Sequence, residues 1–378
     1  MNYDYIIAGT GCAGLSLLYR ILKEPTLRMK KVLMIDKVQK TSNDRTWCFW
    51  EKDEGKFESI VRYQWKTLEF KTEAFTTEFD LIEYEYKMIR GIDFYNFVLE
   101  LAKKFDNVEF KTEEIKSLDV INNKAILTTY SNKYTSDYLF NSTSLMNPQL
   151  SKKNSLLQHF MGWEIKTNNF AFNPKIGTLM DFSLDQKHGA TFMYVLPISN
   201  NQALIEYTLF TSDLLEKDEY KIELKKYISN YLNIENYDII EEEYGIIPMS
   251  TQTFHPHFKE KIINIGTAGG QTKASSGYTF QFIQKYSDSI IEKLVKDESP
   301  VIKFTLRDKM FQWYDRTLLE VIISKKMTGK QIFSMMFKKL PPEKILKFLG
   351  NESSVFEDIK IMFSLPTSKF LPAGIKQI

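Results

Sequence analysis

The stretch YIIAGTGCAGLSLLYRIL, residues 5–22, decides the fold. Tyr5 to Ala8 is a short apolar run of strand formers. Gly9, Gly11 and Gly14 follow at the spacing G-x-G-x-x-G, and an apolar helical pattern then runs through Leu15, Leu18 and Leu22. In such a strand–turn–helix Gly9 permits the tight turn, Gly11 lets backbone approach a pyrophosphate, and Gly14 lets the helix pack on the strand. The helix start adds unpaired N–H groups and the positive end of its dipole, which suit that anion. A second strand, Lys31 to Ile35, ends in Asp36, about where an acid would bind a ribose hydroxyl. Glycine-rich turns are common. It is the order strand, turn, helix, strand, acid that predicts a dinucleotide-binding unit.

Outward from this unit, 378 residues suffice for a large core and about two or three domains. Fifty basic residues against 48 acidic ones leave a formal charge of +2, so charge makes no case for nucleic acid as a partner. The basic residues are mostly lysine, which makes each arginine, with its rigid bidentate fork, more informative. Cys12 and Cys48 are the only cysteines and define no disulfide framework. His255 and His257 form an H-x-H pair without a supporting carboxylate or thiol cluster, which reads as a loop and not as a metal site. The chain opens on a strand with no signal-peptide pattern before it. No run reaches the ~20 apolar residues of a membrane span. A cytoplasmic protein is the expectation.

Along the chain, residues 62–87 alternate in the manner of antiparallel strands, and 92–105 carry a helical stripe through Phe94, Phe97, Val98 and Leu101. Residues 107–141 alternate again around a hairpin signal at Asn122-Asn123. A second β-rich stretch spans 161–210, with Ser199-Asn200-Asn201 as its hairpin turn. Residues 213–232 read as a polar amphipathic helix, and 244–249 as a strand. A further strand, KIINIG, runs into GTAGGQTKASSGYTF and a helix from about Tyr278. Beyond Ser299 the chain is helical, aromatic and rich in lysine.

Glu206 is the most interesting acid. On a strand, Leu204, Thr208 and Phe210 share its face while Ala203, Ile205, Tyr207 and Leu209 take the other, so its neighbours are apolar either way. A carboxyl held there can stay protonated near neutral pH and act as a general acid. From pattern alone, a solvated glutamate on a half-wet strand is the favoured reading. Arg45, in NDRTW, is either a surface arginine or one within reach of a bound nucleotide. Glu241-Glu242-Glu243 reads as the solvated start of a strand. The aromatic residues are mostly core, and could also line a long apolar pocket.

With these stretches laid out, the chain resembles the FAD-dependent lycopene β-cyclases of bacterial and plant type over nearly its whole length. The blocks that carry the resemblance are GTGCAG, NDRTWCFW, FMGWEIKT, TLMDF, FMYVLPIS, ALIEYT, GIIPM, GTAGGQTKASSGYTF and YDRTLLEVI, in that order. It implies an α/β fold: a Rossmann-like FAD-binding domain of glutathione-reductase type, an inserted antiparallel β substrate domain and a helical C-terminal region. The expected boundaries are 1–60 with 88–150 and 255–298 for FAD, 61–87 with 151–254 for substrate, and 299–378 for the helical region. The cofactor-binding set expected on this basis is Gly9, Thr10, Gly11, Ala13, Gly14, Asp36, Arg45, Arg90, Gly266, Gly269 and Gly277.

The resemblance also assigns a role. IEYT stands where plant members carry a phrase close to LEET, whose first acid matches Glu206. Tyr207 replaces the second acid, and Asp181 in TLMDF is the candidate substitute. The implied reaction is an isomerisation of lycopene or a related acyclic carotenoid. An acid protonates the terminal double bond, an internal double bond attacks the tertiary cation, and proton loss leaves the β-ring. The flavin is implied to act reduced and without net electron transfer, with NAD(P)H only a source of electrons. A flavin monooxygenase or an isoprenoid double-bond reductase keeps the fold and changes the chemistry. The water-insoluble substrate implies attachment to a membrane surface. The segment 325–349, which mixes lysines with Ile332, Phe333, Met335, Met336 and Phe337, is the expected contact.

Overall fold

The structure is a computed structural model that describes residues 2–378. It grows from the glycine turn. β1 (Asn2–Ala8) leads into α1 (Cys12–Lys23) and β2 (Val32–Asp36), and the two strands pair in parallel from Tyr5↔Val32 to Ala8↔Ile35. Ile6, Ile7, Leu33 and Met34 are fully buried, as strands covered on both faces must be. Next come β3 (Thr46–Glu51), β4 (Tyr63–Trp65), β5 (Thr67–Lys71), β6 (Thr76–Asp80), β7 (Glu85–Arg90) and α2 (Gly91–Ala102). β8 (Val108–Thr112) then lies parallel to β2. β9 (Ile115–Ile121), β10 (Lys124–Thr129) and β11 (Lys133–Asn141) form an antiparallel meander whose last strand is parallel to β1. Its first turn holds Asn122 and Asn123 at φ 48° and 60°, the left-handed pair that a two-residue hairpin favours.

The second half begins with β12 (Ser155–Thr167), β13 (Ile176–Asp181), β14 (Ala190–Ser199), β15 (Gln202–Thr211), α3 (Lys217–Asn230) and β16 (Tyr237–Ser250). β17 (His257–Phe258) and β18 (Ile262–Asn264) return to the first sheet, whose parallel core runs β18-β11-β1-β2-β8. α4 (Phe280–Val295) packs beside α1. Arg20 ties the two together through both oxygens of Asp288 (2.9 and 3.0 Å) and through Gln284 (2.8 Å). The chain ends in α5 (Leu306–Ile323), α6 (Gly329–Lys339), α7 (Pro342–Leu349), α8 (Val355–Ser364) and α9 (Thr367–Lys376).

Among the described residues the strands form three sheets. The second runs β16-β12-β15-β14-β13-β5-β6 and is antiparallel except between β13 and β5, and the third is β3-β7-β4. That third sheet joins residues 46–51 to 63–65 and 85–90, so it straddles the expected boundaries at 60 and 87. α3 covers one face of the second sheet, packing Tyr220, Leu224, Tyr227 and Ile228 on Trp163, Ile205 and Tyr207. The other face meets the third sheet and the C-terminal helices around Trp65, Phe70, Phe182 and Phe333.

Two expectations are corrected here. The strand expected from 244 begins at Tyr237, so the three glutamates sit within β16 and not at a solvated start. The segment 325–349 spends its apolar side inside the molecule. Ile332, Phe333, Met336 and Phe337 are buried, and Phe337 stacks on Phe70 with ring centroids 4.2 Å apart. A lysine-flanked apolar helix has the same pattern whether it meets lipid or a sheet, and here it meets a sheet.

Candidate active site

The two glycine-rich turns meet at the carboxyl end of the parallel strands. Gly9, at φ +102°, turns the chain, and a Cβ on Gly14 would stand 2.0 Å from the Gly9 carbonyl oxygen. Asp36 is fixed at the same turn: its Oδ2 accepts from the Thr10 N–H (2.7 Å) and hydroxyl (2.9 Å). A Cβ built on Gly11 meets nothing within 4 Å. The start of α1 carries no side-chain cap and no acid in its first turn, so its N–H groups are left for an anion. From the other side Gly266, at φ +62°, comes so near that a Cβ there would lie 2.8 Å from the Cβ of Ala13. Gly269 backs onto the Asn264 carbonyl. The loop that follows is pinned by buried Lys273, which pairs with Asp315 and donates to Asn351, each at 2.7 Å. An open anion cradle, a fixed acid beside it and a second backbone approach fit a dinucleotide such as FAD.

Where this crevice reaches the second sheet lies a cavity of about 160 Å³, and a second of about 240 Å³ adjoins it at Pro248, Thr267 and Thr272. The walls of the first are largely apolar and aromatic: Trp47, Tyr86, Phe160, Tyr194, Leu204 and Phe280. Gly277 belongs to this wall, and a Cβ there would collide with Gln158. Arg45 lines it too. Arg90 does not. Its guanidinium is held by both oxygens of Asp93 (2.7 and 2.9 Å) and stands 3.7 Å from Glu241.

One row of side chains crosses the cavity floor. Register pairs Tyr194 with Glu206, Glu206 with Gly162, and Gly162 with Glu243, over β14, β15, β12 and β16. Residues directly opposite share a face, so the two glutamates lean toward each other over a bare backbone. A Cβ on Gly162 would stand 3.1 Å from Cγ and 3.2 Å from Oε1 of Glu243. Glu206 is half-buried because it borders the cavity, and its Oε1 accepts from the Thr208 hydroxyl at 2.6 Å. Glu243 is buried, and neither carboxyl oxygen has a well-formed hydrogen bond.

Burial, reinforced by the charge of Glu243, raises the Glu206 acid well above the usual carboxylate range. Burial likewise pushes Glu243 up to about 7, against a downward pull from Thr46, Glu206 and Arg45. Burial also pushes up the Cys48 thiol and the Tyr86 and Tyr194 phenols, and takes Tyr278 to about 12. Near neutral pH the site can therefore present one protonated carboxyl and one ionisable carboxyl in a small aromatic chamber.

Two sequence expectations change. Tyr207 points to the opposite face, with its ring 6.2 Å from that of Tyr220 on α3, so this position does not reach the cavity. Asp181 does not either: it accepts from the Tyr227 hydroxyl (2.7 Å) and the Ser183 N–H (2.9 Å) and braces α3. The second carboxyl of the chamber is Glu243, which the sequence reading left in solvent. The usable signal was strand alternation. Glu242 turns to the α3 side, where it accepts from the Trp163 indole (2.9 Å), and that leaves Glu241 and Glu243 on the cavity side.

A family model described as lycopene cyclase protein matches residues 4–373. The chain belongs to the lycopene cyclase family. Membership makes it an enzyme. Among solved structures this cyclase-family chain is similar to a flavoprotein/dehydrogenase from Cytophaga hutchinsonii, at TM-score 0.64 and 12% identity, covering 100% of this chain and 99% of that one. It is also similar to a geranylgeranyl bacteriochlorophyll reductase-like protein from Thermoplasma acidophilum (TM-score 0.61, 12% identity, 99% and 98% covered). A flavin-dependent brominase follows at TM-score 0.60 and 14% identity, with 93% and 94% covered. At such identities the likeness is one of fold: the α/β architecture of flavoproteins, with a Rossmann-like domain, an antiparallel sheet and a helical C-terminal region.

Proposed function

We propose that this chain is a lycopene β-cyclase, closing the acyclic ends of lycopene or a related carotenoid into β-rings with reduced FAD bound and no net redox change. The observation that carries this reading is Glu206, an acid held toward its protonated form on the floor of a largely aromatic cavity. Ring closure needs a proton delivered to a carbon–carbon double bond where water cannot quench the resulting cation. Glu206 supplies the proton. The rings of Trp47, Phe160 and Phe280 offer electron-rich faces to a cation and exclude solvent. Gly9, Thr10, Gly11, Ala13 and Gly14 would hold the pyrophosphate of FAD and Asp36 its ribose, with Gly266, Gly269, Gly277 and Arg45 nearer the chamber. The bound reduced flavin would add electron density beside the cation.

We further propose that the enzyme works at a lipid surface, through α8 and α9. No helix among the described residues is long and apolar enough to cross a membrane. Phe356 and Phe363 on α8 are nonetheless 80% and 78% exposed, and Leu371 and Ile375 on α9 are exposed as well. The acids of α8 are neutralised, Glu357 by Lys347 and Asp358 by Arg307. Lys338, Lys360 and Lys369 are exposed at the rim and have no ion pair among the described residues. An apolar face with a positive rim fits an anionic bilayer.

Expression in cells that accumulate lycopene tests the reaction. Ring-bearing pigment of unchanged mass is expected, and the purified enzyme should turn over with reduced FAD without consuming NAD(P)H. One NAD(P)H lost per product would instead mark a reductase or monooxygenase.

A further inference from the structure

We infer that Glu243 is the base that removes the final proton, and that it returns this proton to Glu206 across Gly162. The inference rests on the cyclase reading and deepens it. The sheet itself supplies the geometry. β15 and β16 flank β12, so Glu206 and Glu243 start from backbones two strand spacings apart, about 10 Å. Any side chain between them would stand in the gap, and the residue there is Gly162. Both carboxyls open on the same cavity. Glu206 has a fixed hydrogen bond from Thr208, whereas both oxygens of Glu243 lack a well-formed partner although the residue is buried. A buried carboxyl whose oxygens lack well-formed hydrogen bonds is costly to keep unless it has work to do.

The step balances in protons and electrons. Glu206 breaks its O–H bond as the terminal double bond of the substrate spends its π pair on a new C–H bond. An internal double bond spends its own π pair to close the ring, which moves the positive charge into the ring. A ring C–H bond then breaks, its electron pair becomes the ring double bond, and the proton goes to Glu243. Transfer from Glu243 to Glu206 resets the pair with no proton gained or lost. One carboxyl that leaves its charge where the cation forms and a second that waits as carboxylate are what a pair sharing one proton provides. The groups facing the pair are Tyr194 on β14, Tyr86 on β7 and Cys48 on β3, with Tyr278 ahead of α4. Arg45, which also lines the cavity, and Glu241 act on Glu243 with opposite sign.

The test uses the FAD-loaded enzyme and lycopene in vesicles. Wild-type kcat/KM should rise with pH through about 7 as Glu243 ionises, then fall at higher pH as Glu206 does. Glu243→Gln should bind FAD, lose ~10²-fold or more in ring formation, and lose the acidic limb of the profile. Glu243→Asp should recover part of the rate. Gly162→Ala keeps both carboxyls and forces them apart, so it should slow the reaction about tenfold or more and move the acidic limb. A Glu243→Gln enzyme within about threefold of wild type, with its acidic limb intact, overturns the inference. So does a Glu243→Gln enzyme that loses FAD or melts early while Gly162→Ala keeps the wild-type profile, for Glu243 is then structural. If the wild type closes no ring on any acyclic carotenoid, the cyclase reading itself fails, and infrared titration of the buried carboxyls still judges the pair. Glu243→Gln should then lower the pH at which the remaining carboxyl, Glu206, titrates, and an unmoved titration overturns the pairing.

Discussion

Glu206 and Glu243 stand in one register row on either side of Gly162, so two carboxyls from strands that never touch share one patch of bare backbone. Neither strand alone could make this pair. On β15 the acid is surrounded by Leu204, Thr208 and apolar neighbours, and on β16 it follows Glu242, which turns to α3, and Glu241, which accepts from Asn43 farther along the same face. The central strand brings them together by contributing no side chain. The sheet thereby raises the pKa of both groups through burial, and of Glu206 further through the charge of its neighbour.

Glu206→Gln keeps size and polarity but removes the proton to be given. Folding and FAD binding should persist while cyclisation falls by about 10²–10⁴. Glu206→Asp should fall between, because the shorter arm misplaces the same group. Glu83→Gln, in an exposed bend paired with Lys52, should be silent. Pigment analysis with flavin occupancy measured on the same preparations decides. Near-normal ring formation by Glu206→Gln would end the chemical role.

The pair should also make stability fall as pH rises. Both folded carboxyls hold their protons above the ordinary glutamate value of 4.5, Glu243 up to about 7. Between those values the folded chain binds protons that the unfolded chain has released, so folding loses free energy with each step upward in pH. Glu243→Gln removes one such group and should raise Tm relative to wild type at pH 8, with little change at pH 4. A difference in Tm that is the same at both pH values would show that Glu243 titrates normally.

The first strand–turn–helix was readable in sequence because its signals are local: glycines at fixed spacing, an apolar strand before them, an apolar helix after. The hairpin at Asn122-Asn123 was readable for the same reason. Glu206 was readable only as a candidate, since a strand's two faces look alike until something covers one. Glu243 was not. Its partner lies two strands away, and what joins them is a register that no local pattern encodes. The helix at 329–339 failed differently. Apolar side chains at helical spacing with flanking lysines describe both a packed helix and an interfacial one, and only the sheet residue Phe70 beneath Phe337 separates the two.

Gly11 can be tested with little cost to the fold, because a side chain there would enter open space. Gly11→Val should retain its melting transition and lose FAD binding, the branched side chain now occupying the approach to α1. Flavin absorbance after gel filtration reads the result. Stoichiometric FAD in Gly11→Val would place the pyrophosphate elsewhere.

The exposed faces of α8 and α9 predict binding to vesicles containing anionic lipid, weakened by salt. Phe356→Asp combined with Phe363→Asp should abolish flotation with such vesicles and leave the melting temperature unchanged, since both rings already face solvent. Ile82→Asp, an equally exposed site in the bend before β7, serves as the control. Flotation that survives the double change removes this surface from consideration.

Tyr207 tests which carboxyl is the second one. The resemblance of IEYT to the plant phrase puts tyrosine at the position of an acid, which invites the view that the acid's work is missing here. The structure places the position on the α3 side, packed among Tyr220, Leu224 and their neighbours and cut off from the cavity by the sheet itself. Tyr207→Phe removes only a hydroxyl from that interface and should change ring formation by less than about threefold, with a stability loss of ~1 kcal/mol. Tyr207→Glu should not strengthen catalysis. It would bury an unpaired carboxyl beneath α3, where the charged form is strongly disfavoured, and should cost roughly 3 kcal/mol or more and lower expression. Urea melts and initial rates on the same proteins separate the effects. A folded Tyr207→Phe enzyme that loses 10²-fold in rate would mean that the α3 face takes part in the chemistry, and that Glu243 alone does not account for the second carboxyl's role.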